Sequence, residues 1–305
     1  MTKPDATLIS LDLHDLDDIW RTSDPKVAED RIRKLLEECE SHPDRDRSTQ
    51  IEILTQLART EGAQGRFSEA NANLGRAEEL LKVGQSSSRV SAKIRWLLEK
   101  GRLYVLQKTP SQARPHFAEA WTLASHSGED SFAVDAAMML ATIEPPKVQQ
   151  DWLARAIRLA EESPQPKTKG FLGSLYASMG WKLFDLRQFE QALEFFQKSL
   201  SHFKLQGNSR ELFVAKWSVG KLLRTMNKPE EALIIQNALL AELGIGGSRD
   251  GRLYEELAEC LHVLKRSDEA RLYFELAYRE LSTDEWIVDN QPEMLKRLKE
   301  LGKVK

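Results

Sequence analysis

The sequence predicts an all-α protein of stacked helical hairpins, and two observations lead to this fold class. First, small and bulky residues return at the same offsets along the chain. Second, the apolar residues follow helical spacing, and only a brief alternation at residues 8–13 resembles a strand. Self-similarity at a period of a few tens of residues is typical of solenoids, in which each unit buries its apolar face against its neighbours.

Three copies of the repeat match closely. They are Gly101, Tyr104, Ala113, Phe117 and Ala120; Gly180, Leu183, Ala192, Phe196 and Ser199; and Ala258, Leu261, Ala270, Phe274 and Ala277. Weaker copies begin at Ala58 and Gly220, and degenerate copies begin at Ala137 and Leu16. We expect the early small residue to let the first helix of a hairpin approach its partner closely. The bulky residue of the second helix is expected to fill the space between units.

This offset pattern resembles the tetratricopeptide repeat (TPR), a helix-turn-helix unit of about 34 residues. The resemblance covers nearly the whole chain, although the units are longer than standard. It implies a TPR-like α-solenoid, a right-handed superhelix of about seven helical hairpins with a C-terminal capping helix. One domain is predicted over residues 1–305, with hairpins near 9–41, 48–83, 91–127, 130–163, 170–206, 210–243 and 250–282 and a capping helix at 292–303.

Turn and cap signals mark the boundaries of these elements in order. Asp24-Pro25 is typical of a helix start, because aspartate caps a helix and proline suits its first turn. Polar or proline-containing segments then separate the later hairpins, at 42–47, 85–88, 145–146, 163–169 and 244–250. Pro292 begins the last helix, whose Leu295, Leu298 and Leu301 form one apolar stripe among charged residues. Terminal repeats need such a cap with a polar outer face.

Composition excludes several function classes. Nucleic-acid binding needs a strongly basic face, and the formal net charge of −3 gives no indication of one. No apolar stretch approaches the length of a membrane span, and the N-terminus does not read as a signal peptide. Cys39 and Cys260 are interpreted as reduced core residues. We therefore expect a cytoplasmic protein that binds neither nucleic acid nor membrane; the sequence leaves its oligomeric state open.

The residues that usually carry chemistry do not form a recognisable constellation. The six histidines are scattered without a helical metal spacing, and there is neither a nucleophile elbow nor a phosphate-binding loop. We therefore predict no catalytic residues, no metal site, no cofactor and no enzymatic activity.

The TPR resemblance implies that the residue after each early small residue points into a concave groove. The predicted groove residues are Arg59, Arg95, Arg102, Asp135, Met138, Trp181, Trp217, Lys221, Arg224, Glu255 and Glu259. Neighbouring candidates are Leu98, Glu99, Phe184, Arg252, Glu256 and His262. Such a groove is basic at its first units, apolar and aromatic in the middle, and mixed to acidic at its last. This gradient suits an extended peptide or partner segment with an apolar anchor between charged ends.

Several interpretations remain open from the sequence. Trp181 and Trp217 face either the groove or the core, because tryptophan is usually well buried. The arginines Arg95, Arg102 and Arg224 are either partner-binding or paired as surface charges with Glu99 or Asp135.

Three function classes follow. The leading one is a non-catalytic scaffold for a protein or peptide partner. The second is a small-ligand or peptide sensor without its own DNA-binding domain, since the repeat pattern begins by Leu16. The third is an enzyme or small-ligand binder that uses a charged cluster of Arg102, Asp135, Glu255 and Glu259.

Overall fold

The computed structural model describes residues 25–41, 47–83, 89–246 and 249–304, and over these ranges all regular secondary structure is helical. The chain divides into two compact units, Met1–Lys169 and Gly170–Lys305. Unit 1 contains α1 (Pro25–Glu40), α2 (Arg47–Ala63), α3 (Phe67–Lys82), α4 (Arg89–Leu106), α5 (Pro110–Ser127), α6 (Asp130–Ile143), α7 (Pro146–Glu162) and α8 (Pro166–Lys169). Unit 2 contains α9 (Leu172–Asp185), α10 (Phe189–Gln206), α11 (Ser209–Thr225), α12 (Pro229–Gly246), α13 (Gly251–Val263), α14 (Ser267–Leu281), α15 (Glu285–Asn290) and α16 (Pro292–Gly302).

Unit 1 is a row of antiparallel helical pairs. Helices α2 and α3, α4 and α5, and α6 and α7 form its three complete hairpins, and α1 packs against α2. The first helices α2, α4 and α6 also contact one another in sequence, so their side chains share one face of the unit. The helix predicted to precede α1 in the hairpin near 9–41 lies outside the described residues.

Unit 2 repeats this arrangement with the hairpins α9–α10, α11–α12 and α13–α14. The final helix α16 packs on α14, with Leu298 fully buried and Leu295 almost so. Its last residue, Gly302, lies so close to α14 that a Cβ atom there would stand 2.7 Å from the backbone nitrogen of Glu275. Helix α16 is therefore a docked cap. Helix α12 continues to Gly246, beyond the start of the loop predicted at 244–250.

The repeated small residue has a direct steric cause. A Cβ atom on Gly101 would lie 2.5 Å from the Phe117 ring, and one on Gly180 would lie 2.6 Å from Phe196. The bulky residue therefore packs onto the small residue of its own hairpin, whereas we expected it to fill the space between units. The small residue does let the two helices of a hairpin approach closely, as predicted.

A second repeated feature lies in the turn of five of the six complete hairpins in the described residues. Seven positions after the small residue, the backbone adopts positive φ angles of 59° to 74°. The residues concerned are Gly65, Lys108, Arg187, Asn227 and Lys265. The α6–α7 turn lacks this feature, because Glu144 has a φ angle of −83°. A left-handed residue reverses the chain immediately after a helix, but only one of these five is the glycine that this conformation favours. The residue types at these positions therefore did not predict the left-handed conformation of the turn.

None of the described helices combines the length and the apolar composition required to cross a bilayer.

Candidate functional site

Charged side chains on the first helices are paired in one repeated register. The residue after the small residue of one hairpin contacts the residue two positions before the small residue of the next. This register pairs Arg102 with Asp135, whose Oδ1 accepts a hydrogen bond at 2.6 Å, and Lys221 with Glu256 at 3.0 Å. Arg59 lies 3.7 Å from Glu99 in the same register. We call the surface formed by α2, α4 and α6 in unit 1, and by α9, α11 and α13 in unit 2, the first-helix face of that unit.

Arg102 is the centre of the unit 1 network. Its guanidinium donates to Glu99 on its own helix and to both carboxylate oxygens of Asp135 on α6. Burial alone would lower the pKa of Arg102, but Glu99 and Asp135 outweigh it and raise that pKa. Arg102 therefore remains charged and holds α4 to α6. The sequence left open whether Arg102 pairs with Glu99 or Asp135, and it pairs with both. The three side chains are mostly buried, whereas we considered a pair of exposed surface charges.

The other predicted groove residues of unit 1 differ in exposure. Arg95 lies 3.4 Å from Glu52 and stacks over the ring of Phe132 at 5.0 Å, with its side chain only 11% exposed. Arg59 is 39% exposed, and Met138 is half-buried. Arg95 therefore joins α4 to its neighbours, while Arg59 is the more accessible of the two arginines.

An open cleft of about 550 Å³ crosses the first-helix face of unit 1 at the C-terminal ends of α2, α4 and α6. Most of its walls are apolar. It is lined by Ala58, Arg59, Gly62, Ala63, Glu99, Arg102, Leu103, Val105, Leu106, Met139 and Thr142. Val105 and Leu106 are exposed there. The cleft thus combines an accessible apolar surface with three charged side chains of the repeat register.

Glu99 has unequal oxygens inside this cleft. The Oε1 atom contacts Arg102 at 2.5 Å and Arg59 at 3.7 Å. The Oε2 atom is buried and has no hydrogen-bond partner among the described groups. Such an atom is unusual, because buried polar atoms normally find a partner.

The two predicted groove tryptophans in unit 2 have different surroundings. Trp181 contacts the rings of Phe196 at 5.0 Å and Trp217 at 5.9 Å. It also lines a cleft of about 280 Å³, together with Ser178 and Val214. Trp217 packs on the apolar core, and its Nε1–H donates to the Arg252 carbonyl at 3.2 Å. Trp181 is therefore a cleft wall, whereas Trp217 ties α11 to α13.

Glu256 organises the charges of unit 2. Arg224 donates to both of its oxygens, at 2.8 and 3.0 Å, and Lys221 lies 3.0 Å from Oε1. Burial would raise the pKa of Glu256, but hydrogen bonds and charge from Arg224 and Lys221 hold it below its ordinary value. The Lys221 ammonium also lies 5.0 Å from the centroid of the Trp217 ring. These predicted groove residues are thus engaged with one another.

The remaining predicted acidic residues are also paired. Glu255 accepts a hydrogen bond from Arg252 at 3.0 Å, and Glu259 accepts two from Arg297 on α16, one of them at 3.1 Å. Within the described residues, no group of three or more His, Cys, Asp or Glu side chains is placed to hold a metal ion.

Several residues of this face were absent from the predicted set. Among them, Glu52 pairs with Arg95, and Gly62 lines the unit 1 cleft. The signal for Gly62 was available in the repeat register, because it occupies the position that Arg224 occupies in a later hairpin.

No protein-family model matches the sequence, and no curated protein matches it. Solved structures do. The apo form of RapI aligns with 94% of this chain and 79% of its own, at a TM-score of 0.73 and 14% identity. The apo quorum sensor NprR from B. thuringiensis aligns with 94% of this chain and 81% of its own, at a TM-score of 0.64 and 13% identity.

A third match is a signal transduction ATPase of the STAND class with a TPR sensor, from Pyrococcus horikoshii. It aligns with 94% of this chain at a TM-score of 0.71 and 14% identity. The chain spans only 43% of that protein. Together with the repeated hairpins, these matches show that the fold is of the tetratricopeptide-repeat type.

Proposed function

We propose that this chain is a non-catalytic scaffold that binds a protein or peptide partner on its first-helix faces. The observation that carries the proposal is a cleft lined by first helices in each unit, and in unit 2 by α10 as well, with apolar walls and a few polar groups. Binding sites typically have this composition, in which apolar walls supply affinity and a few polar groups fix orientation.

The charge pairs support this proposal by keeping the clefts in shape. Arg102 holds α4 to α6 through the half-buried carboxylate of Asp135, and Arg224 holds α11 to α13 through the buried carboxylate of Glu256. A surface held in one arrangement loses little conformational freedom when a partner binds, which favours affinity. The same pairing alters the expected recognition mode. Because most groove charges already have partners, we propose that the apolar clefts, with Arg59 and Trp181 at their walls, contribute more than a gradient of charge.

A sensor of a small ligand or peptide is the second candidate. The unit 1 cleft, at about 550 Å³, falls within the range of roughly 300–1,000 Å³ typical of small-molecule sites. The fold is also shared with a quorum sensor and with a TPR sensor. An enzyme is the least favoured class, since Arg102, Asp135 and Glu259 are each held in an ion pair with a neighbouring helix. Glu255 is paired with Arg252 on its own helix.

We further propose a cytoplasmic location. Cys39 and Cys260 are buried and are not joined in a disulfide, as expected in a reducing compartment. Burial, followed by the charge of Glu256, raises the pKa of Cys260 to about 12, so this thiol stays protonated and unreactive.

Selection of a phage library of random peptides on the full chain tests the proposed function. Three matched variants locate any binding, because their side chains are similarly exposed at 48%, 50% and 51%. They are Leu106→Lys in the unit 1 cleft, Val214→Lys in the unit 2 cleft and Leu272→Lys on the second helix α14.

We expect selected peptides to bind at least one cleft variant about tenfold more weakly or worse, as is typical when a hot spot is lost, and to bind Leu272→Lys normally. Absence of any enriched peptide would refute peptide binding, and a thermal-shift screen of small metabolites would then test the sensor. Equal losses in all three variants would refute the first-helix faces as the site.

A further inference from the structure

Two buried glutamates occupy the same repeat position in the two units. Glu99 stands two residues before Gly101, and Glu256 stands two residues before Ala258. Their exposures are 4% and 1%, so both carboxylates are shielded from solvent. Both oxygens of Glu256 are hydrogen-bonded to Arg224, whereas Oε2 of Glu99 has no hydrogen-bond partner among the residues that the structure describes. The same position is therefore saturated in unit 2 and incomplete in unit 1.

The missing donor has an identifiable cause. Arg224 stands four residues after the small residue Gly220, and the equivalent residue before Glu99, four after Ala58, is Gly62. Where unit 2 has a guanidinium, unit 1 therefore has no side chain. Gly62 and Glu99 both line the unit 1 cleft. The open cleft and the unpartnered oxygen thus share one origin in the sequence.

We infer that the unit 1 cleft seats an extended peptide whose backbone N–H donates to Glu99 Oε2 while an apolar side chain packs on Leu103, Leu106 and Met139. This inference rests on the proposed peptide-binding function and names its anchor. Leaving a charged acceptor buried without a donor is costly, so a ligand that supplies the donor recovers that cost as affinity. The peptide side chain would cover apolar surface that Val105 and Leu106 now expose.

The local charge favours a neutral donor over a cation. Among the residues lining the cleft, Arg59 and Arg102 are positive and Glu99 is negative, and Asp135 balances the second arginine. An additional ammonium would meet both guanidinium groups, whereas an amide N–H completes the hydrogen bond without adding charge. Arg59 is 39% exposed, and its guanidinium lies 3.7 Å from Glu99 Oε1.

The variant Gly62→Arg tests this inference by copying unit 2 into unit 1. We expect the new guanidinium to donate to Glu99 Oε2 and to fill the cleft, so that peptides selected on the wild-type chain bind at least tenfold more weakly. The melting temperature should not fall, because arginine is a better helix former than glycine. The Cβ atom would meet only the flexible ends of Leu103 and Leu106, at 3.3 and 3.4 Å.

Gly62→Ala is the matched control. It adds helix propensity and the same Cβ atom without the guanidinium, so peptide binding should remain within about twofold of wild type. Selected peptides that bind Gly62→Arg as tightly as wild type would overturn this inference and leave the proposed function intact. If Gly62→Arg does not fold, retention of binding by Leu106→Lys overturns the inference in its place, and loss of binding there, with Leu272→Lys normal, supports it.

An ester scan of one selected peptide tests the anchor atom itself, because each amide-to-ester change removes one N–H donor. We expect one position to cost about tenfold or more in affinity toward the wild-type chain, as a hydrogen bond to a charged group does. The same ester should cost clearly less toward Glu99→Gln, in which the anchor is uncharged. An equal cost in both proteins at every position would overturn Glu99 as the acceptor.

Discussion

In unit 1 the position four residues after the small residue of helix α2 is Gly62, whereas in helix α11 of unit 2 it is Arg224. Arg224 closes the space beside Glu256 and satisfies its carboxylate. Gly62 leaves the equivalent space open beside Glu99, and a cleft forms there. One repeat position therefore either joins two hairpins or leaves a cleft open, depending on a single side chain.

The first-helix faces also differ in how they use aromatic residues. In unit 2, Trp181 and Trp217 contact each other, and Trp217 is further tied to α13 through the Arg252 carbonyl. The cleft walls of unit 1 are aliphatic, with Leu103, Leu106 and Met139 as the larger side chains. Unit 2 therefore uses large rings as packing elements where unit 1 keeps an open surface.

The largest effect on stability is expected from Trp217→Ala in unit 2. Truncating a buried tryptophan typically costs roughly 3–5 kcal/mol, and for this half-buried ring we expect about 3 kcal/mol in the free energy of unfolding. Urea denaturation measures the loss, and Trp286→Ala serves as control because that ring is 60% exposed. An unchanged midpoint for Trp217→Ala would show that this side chain does not stabilise the core. It would then be a groove residue, and the proposed difference between the units would be wrong.

A smaller effect is expected from Glu256→Gln, which leaves Lys221 and Arg224 without their shared carboxylate. Removing one member of a buried pair costs up to about 3–5 kcal/mol, but both cations are at least 20% exposed and water can partly solvate them. We expect a loss of about 2 kcal/mol in the free energy of unfolding.

The equivalent change in unit 1, Glu99→Gln, should cost only about 1 kcal/mol, because Arg102 keeps its bonds to Asp135. Urea denaturation of both variants side by side checks the order. A larger loss for Glu99→Gln than for Glu256→Gln would contradict the view that the unit 1 carboxylate is the incomplete one.

The smallest effect concerns pH. The folded-state pKa of Glu256 lies below the ordinary value of 4.5, so its stabilising contribution is present above pH 4.5 and is lost as pH falls through the lower folded value. The difference in unfolding free energy between wild type and Glu256→Gln should therefore shrink as pH is lowered below 4.5. Denaturation curves at a series of acidic pH values test this. A constant difference would mean that protonation of Glu256 does not weaken the pair.

The fold was largely predictable from local sequence. The spacing of Gly101 and Phe117, repeated at Gly180 and Phe196, reports a contact inside one hairpin, and a contact of that kind leaves a periodic trace. The pairing of helices followed from that trace. The single continuous solenoid over residues 1–305, its right-handed superhelix and the assignment of residues to a partner-binding groove stay predictions.

The candidate site was predictable only in part. The sequence pointed to Arg102, Asp135, Lys221 and Arg224 by their repeat positions, and the structure pairs these residues across neighbouring hairpins. It did not indicate that pairing would engage most of the groove charges. The repeat register marked the position of Gly62, which Arg224 occupies in a later hairpin, but a glycine has no side chain by which to recognise a site.

The helical hairpin and its register follow from the sequence alone, since both depend on residues a few positions apart on one helix or on two helices joined by a short turn. Which side chains of successive first helices meet depends on tertiary packing. Arg102 pairs with Asp135, 33 residues away, and Glu99 Oε2 has no donor among the described residues. Contacts of this kind depend on how one hairpin sits against the next, and that placement is set by the packing of whole helices.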